Sequence, residues 1–180
     1  RVTTNDYDSA DYYYVNKSSL PKVYGGFNTS LSWKGFDLSA IFAYSIGGYI
    51  YNRDITMILH NGSLEGRDWS TEILKRWTPD NRYTDVPALS TTSNNWNSAS
   101  TRFLQNNSYM RLKNLTLSYN LPKQWISKLS LSSVQVYVQG DNLFTIHRNQ
   151  GLDAEQGITG ITYYRYPAMR TISGGINVSF

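Results

Sequence analysis

Thr171-Ile-Ser-Gly-Gly-Ile-Asn-Val-Ser-Phe180 reads as a strand with two unlike faces. Ile172, Ile176, Val178 and Phe180 share one parity with Gly174, while Thr171, Ser173, Gly175, Asn177 and Ser179 take the other. Successive side chains of a strand point to opposite sides, so one side is apolar and the other small and polar. The stretch closes on an aromatic, where soluble chains more often trail off in a few polar residues. An amphipathic strand closing on Phe is the pattern of a β-barrel strand with one face toward lipid.

Working back from that strand, four more segments carry a period of two. Gly25, Phe27, Thr29, Leu31 and Trp33 share a face opposite Gly26, Asn28, Ser30 and Ser32. After Lys34-Gly35, a two-residue hairpin signal, Phe36, Leu38, Ala40, Phe42 and Tyr44 form the apolar set. A two-residue loop sets Trp33 opposite Phe36, Leu31 opposite Leu38 and Phe27 opposite Phe42, so register and hydrophobic face agree. Leu115, Leu117, Tyr119 and Leu121 alternate with Thr116, Ser118 and Asn120, and Val134, Val136 and Val138 with Gln135, Tyr137 and Gln139. The expected strands lie near 24–33, 36–46, 109–121, 134–142 and 169–180.

Composition narrows the alternatives. No run of about 18 apolar residues is present, so no transmembrane helix is offered. Barrel strands escape such a scan because they alternate. The 15 Tyr and 5 Trp fit interfacial aromatic girdles or a sugar- or peptide-binding surface. With no Cys there is neither a disulfide framework nor a thiolate metal site. The net charge of +4 is scattered rather than striped, which argues against nucleic acid as a partner. The chain starts Arg1-Val-Thr-Thr with no signal segment, as expected of a mature or internal piece whose targeting signal lies upstream.

Connection lengths supply an orientation. Barrels of this kind have short periplasmic turns and long extracellular loops. With Phe180 at the periplasmic rim, Lys34-Gly35 and the 122–133 connection are periplasmic, and loops 47–108 and 143–168 are extracellular, as is segment 1–23. The first long loop needs elements of its own. Asn52 is expected to cap a helix through Leu59, and Asp68 to cap another that stacks Trp69, Ile73 and Trp77 before Thr78-Pro79. Ser90–Thr101 reads as an exposed tip.

Sites for chemistry are sparse. Asp153 and Glu155 offer too few regularly spaced oxygens for a calcium loop and read as solvated loop carboxylates. His60 and His147 lack metal-ligand spacing and read as loop histidines, so no metal is expected. No nucleophile elbow, phosphate loop or dinucleotide fingerprint appears, and no enzyme activity or cofactor is expected. Aromatics in the loop stretches, Trp69, Trp77, Trp96, Tyr163, Tyr164 and Tyr166, suit stacking on a ligand or packing within the loops.

Several motifs then occur in one order: Tyr24-Gly-Gly-Phe27, Trp33-Lys-Gly-Phe-Asp-Leu38, Arg76-Trp-Thr-Pro-Asp80 with Thr84-Asp-Val-Pro87, Tyr109-Met-Arg-Leu-Lys-Asn-Leu-Thr-Leu117 and Gly140-Asp-Asn-Leu-Phe144. From about Lys22 to Phe180 the chain resembles the C-terminal part of SusC/RagA-type TonB-dependent outer-membrane transporters of Bacteroidetes. The resemblance implies an all-β fold, here the last five strands of a transmembrane antiparallel barrel of about 22 strands. It also implies import of oligosaccharides or oligopeptides, with four kinds of partner: the plug and remaining strands, a SusD-like surface lipoprotein, TonB, and outer-membrane lipid. Leu38, Phe42, Leu117, Val136, Ile176 and Phe180 would face lipid. Ser30, Ser39, Ser118, Gln135 and Gln139 would face the lumen or plug, and Trp69, Trp96, Tyr163, Tyr164 and Arg165 would contact ligand or lid. Rival readings are a passive porin and a soluble β-sandwich that holds glycans.

Overall fold

The computed structural model describes residues 6–180 except 61, 63, 65, 91–96 and 163, and except the side chain of Leu129. The chain divides into two compact units. One comprises residues 20–48, 106–155 and 166–180; the other comprises 1–19, 49–105 and 156–165.

The first unit is a five-stranded sheet of β1 (Pro21–Trp33), β2 (Phe36–Gly47), β5 (Tyr109–Asn120), β6 (Ser133–His147) and β7 (Thr171–Ser179), in that spatial order. Every neighbouring pair is antiparallel. The β1–β2 hairpin has the expected register: Trp33 pairs with Phe36, Leu31 with Leu38 and Phe27 with Phe42. Lys34 and Gly35 both have positive φ, 48° and 87°, which is the backbone twist a two-residue hairpin turn requires. Aromatic rings then reinforce the sheet, with Phe36 against Tyr119 at 4.5 Å and Phe27 stacked on Phe42 at 4.7 Å. Such pairs each add about 0.5–1.5 kcal/mol beyond area burial.

Cross-strand partners share a face, so the register sorts the whole sheet. Leu31, Leu38, Leu117, Val138 and Gly174 form one apolar row; Trp33, Phe36, Tyr119, Val136 and Ile176 form the next. On the other face, Ser30, Ser39, Thr116, Gln139 and Ser173 run across all five strands. The apolar rows are exposed, Leu31 by 66% and Ile176 by 65%; on the polar face Ser118 is 8% exposed at the centre, while Ser30 and Ser173 on the outer strands are exposed. A water-soluble sandwich would cover that apolar face, and no described residue of this chain does.

Besides an irregularity at the start of β1, between Pro21 and Val23, the alternation breaks in the middle of the sheet. β2 passes from Ile41 to Phe42 while β5 passes from Asn114 to Leu112, leaving Lys113 as an extra residue. On β6 the same step spans Asp141 to Phe144, with Asn142 left-handed at φ 53°. This bulge puts Lys113 and Asn114 on the polar face in succession and returns Leu112 and Met110 to the apolar one. It also explains why β6 runs to His147 rather than stopping at 142: alternation resumes beyond the bulge with Phe144 and Ile146. β1 likewise begins at Pro21, three residues before the expected edge.

The second unit holds a short sheet of β3 (Tyr49–Tyr51) and β4 (Leu104–Asn106) and the helix α1 (Arg53–Ile58). Asn52 caps α1 as expected, its Oδ1 accepting from the Ile55 N–H at 3.1 Å. The helix expected after Asp68 is instead a five-residue 3-10 helix, Thr71–Lys75, capped by Ser70. It ends early because the following turn claims its carbonyls. The Lys75 oxygen accepts from Asn81 Nδ2 at 2.9 Å and from Thr84 Oγ1 at 2.6 Å. Ile73 packs with Leu59, Val86 and Ile55 in a small core, while Trp69 and Trp77 are each left about half exposed rather than stacked with it.

Candidate functional site

The sheet's polar face begins as ladders of short side chains. Asn177 Nδ2 donates to Gln135 Oε1 at 3.2 Å, and Gln135 Nε2 donates to Ser118 Oγ at 3.3 Å. Asn120 Nδ2 donates to Asp37 Oδ2 at 2.7 Å, and the Ser32 hydroxyl donates to the other Asp37 oxygen. Asn114 Nδ2 donates to Asp141 Oδ1 at 2.7 Å. Gly175 leaves room for the Tyr137 ring, whose hydroxyl oxygen would stand 2.7 Å from a Cβ built there.

Beyond the bulge this face turns ionic. Arg111, whose side chain is 5% exposed, uses all three guanidinium nitrogens. Nε donates to Thr145 Oγ1 at 3.0 Å, Nη1 to Glu155 Oε2 at 3.2 Å and Nη2 to Asp153 Oδ2 at 2.9 Å. Lys113 Nζ joins at 2.7 Å from the same Glu155 oxygen. Two cations and two carboxylates make the group neutral, which is how charge is tolerated at this burial. Asp153 also accepts from the backbone N–H groups of Ala168 and Glu155. Burial raises the Asp153 carboxyl, but the Arg111 hydrogen bond and those two N–H groups outweigh it and hold the group below the ordinary carboxylate range.

This is a correction to the sequence reading. Asp153 and Glu155 are not solvated loop carboxylates; they anchor segment 148–155 to the sheet's polar face. Asn149, 3% exposed, completes the anchor by donating to Asn107 Oδ1 and to the Asp153 carbonyl, while the His147 ring nitrogen Nδ1 stands 2.7 Å from Asn149 Oδ1. His147 is thus part of a hydrogen-bonded corner. The sequence signal for Arg111 and Lys113 was two cations inside an alternating strand, a placement that demands partners wherever it points.

In the second unit, His60 is also more than a loop histidine. It is 1% exposed, and its Nδ1 accepts from Trp69 Nε1 at 3.0 Å and from the Gly62 N–H at 3.2 Å. Trp69 therefore spends its indole N–H internally while its ring remains half exposed. Tyr164 is 73% exposed with φ 36°, its backbone N–H donating to Asp54 Oδ1 at 3.2 Å. Arg165 is exposed, with its guanidinium beside Gly157. Trp96 and Tyr163 lie outside the described residues. Among the described residues, no group of three or more acidic or histidine side chains is placed to hold a metal.

Comparison with known proteins supplies relatives. No protein-family profile matches the chain. It is 34% identical over 166 residues to TonB-dependent receptor P3 of Formosa agariphila, covering 86% of this chain and 16% of that receptor. Against TonB-dependent receptor SusC of Bacteroides thetaiotaomicron the identity is 28% over 174 residues, 96% of this chain and 16% of SusC. Among solved structures, the RagAB peptide importer in its open-open state superposes with a TM-score of 0.85 at 35% identity, covering 99% of this chain and 19% of that one. The chain thus spans about a sixth of the curated relatives it matches.

Proposed function

Because this chain is a homologue of TonB-dependent receptors of the SusC and RagA type, we propose that it forms part of the barrel wall of an energised outer-membrane importer. The observation that carries the reading is the sheet itself: five antiparallel strands whose apolar face is exposed and whose polar face holds the hydrogen-bonded and ionic groups. Leu38, Phe42, Leu117, Val136, Ile176 and Phe180 face lipid, and Ser30, Ser39, Ser118, Gln135 and Gln139 face the lumen or the plug. Strands of 9 to 15 residues suffice, since a tilted barrel strand crosses the hydrocarbon in about 9–11 residues.

The cargo is an oligopeptide or oligosaccharide, taken with a SusD-like surface lipoprotein and energised through TonB by parts of the receptor outside this chain. The likeness to a peptide importer favours peptide. Tyr164 and Arg165, and the exposed edge of Trp69, are the described loop groups offered to cargo or lid; Trp96 and Tyr163 belong to the same proposal. The Arg111 anchor keeps segment 148–155 on the lumen side of the wall. Uptake of labelled oligopeptides and oligosaccharides by cells carrying the full receptor tests this. Uptake of one class, stopped by a protonophore, is expected; uptake that survives the protonophore would make it a passive pore.

A further inference from the structure

The two ends of the five-stranded sheet differ in charge. At one end lie the Lys34-Gly35 turn and the 121–132 connection, which carries α2 (Lys123–Ile126). The two connections meet there, with the Asn120 N–H donating to the Gly35 carbonyl at 2.8 Å. This end carries Lys34, Lys123 and Lys128, all exposed. Among the described residues, none of the three forms an ion pair. The side-chain carboxylate at this end, Asp37, is engaged by Ser32 and Asn120 on the polar face. The opposite end carries both signs: Lys22 and Arg148 lie there, and so do Asp153 and Glu155, which pair with Arg111 and Lys113.

Aromatic side chains accompany the lysines. Trp33, Phe36 and Tyr119 end the apolar rows here, and Trp125 on α2 is 65% exposed. The Lys34 ammonium sits 4.8 Å from the centre of the Trp33 ring. An apolar face that ends in Trp and Tyr, followed at once by ammonium groups without a carboxylate partner, matches the layering of a membrane interface: hydrocarbon, then headgroup. The sign of the charge then selects the headgroup.

We infer that Lys34, Lys123 and Lys128 form a docking surface for anionic diacyl phospholipid, the acyl chains lying on the Trp33–Phe36–Tyr119 end of the apolar face and the phosphate meeting the ammonium groups. The inference rests on the lipid-facing reading of that face and adds which lipid collects there. Each basic residue at an anionic surface favours binding by about fivefold.

The test uses the full receptor in micelles doped equally with phosphatidylglycerol and phosphatidylcholine, with retained lipids counted by native mass spectrometry. The unsubstituted receptor should retain phosphatidylglycerol over phosphatidylcholine by at least about tenfold, falling below about twofold in K34Q/K123Q/K128Q and recovering in the matching arginine variant. Equal retention by the lysine and glutamine forms overturns the inference while leaving the membrane reading intact. A receptor that stays monodisperse without detergent would overturn the membrane reading itself.

Discussion

The sheet and the loop unit hold together in opposite ways. In the sheet, long ladders of backbone hydrogen bonds carry the structure, most large apolar side chains are exposed, and the buried groups include Arg111 and Ser118 of the polar face. In the loop unit the described helices are three to six residues long, and compact buried groups hold it, among them Leu59, Ile73 and Val86, with Asn52 and Thr162 at 0% and 1% exposure. Asn52 is a hub there. Its side chain caps α1, and its backbone N–H donates to the Phe103 carbonyl at 2.8 Å. The contrast teaches that burial falls on different chemistry in one chain: in the sheet on a hydrogen-bonded and ionic group of one face, in the loop unit on a small apolar core with a few hydrogen-bonded polar side chains.

Removing one partner of the buried ion group should have the largest effect. Arg111→Met leaves Asp153 and Glu155 without their guanidinium, at a cost of about 3–5 kcal/mol in local stability. Hydrogen exchange in the full receptor should show segment 148–155 losing protection while β1 and β2 keep theirs. Adding Asp153→Asn and Glu155→Gln should restore part of it.

Charge on the apolar face comes next and is graded along the strand. Phe42→Arg, near the middle of β2 and stacked on Phe27, should cost about 2–4 kcal/mol and sharply reduce folded receptor in the outer membrane. Val136→Arg lies level with Phe36, the first residue of β2, so its cost should be closer to about 1 kcal/mol. Gln135→Arg, on the other face, should assemble normally. Equal yields for all three would break the contrast between faces.

In the loop unit, Asn52→Ala removes the α1 cap and should cost about 1–2 kcal/mol. Faster proteolysis within 53–59, with the sheet unaffected, is the expected readout. The smallest effect is on pH. The folded Asp153 carboxyl sits below its unfolded value, so its contribution is complete above about pH 4 and is lost as pH falls through the folded value. Protection of segment 148–155 should therefore be flat from pH 7 to about 5 and decline below about 4, and Asp153→Asn should remove that decline.

The legible parts of the fold are those governed by short-range rules. A two-residue turn and matching parity are enough to determine the Trp33–Phe36, Leu31–Leu38 and Phe27–Phe42 pairs. The Lys113 bulge is not legible in the same way, because Met110 and Leu112 alternate cleanly on one phase and Leu115 and Leu117 on the other, and only the neighbours' register joins the two. The ionic group is hidden for a different reason. Arg111 and Asp153 are 42 residues apart in sequence, and each alone reads as an ordinary charge. The short 3-10 helix in place of the expected longer one is hidden for a similar reason, since Asn81 and Thr84, six and nine residues further on, take the Lys75 carbonyl where the helix ends.

The central claim is that the two faces of the sheet meet different solvents. The chain has no cysteine, so single cysteines placed from 134 to 139 on β6 of an otherwise cysteine-free full receptor, in intact outer membrane, report each position separately. The account predicts alternation: a water-soluble maleimide labels 135, 137 and 139, reached through the lumen, while 134, 136 and 138 remain unlabelled in lipid. Uniform labelling along the strand, or labelling of the valine positions alone, would contradict it.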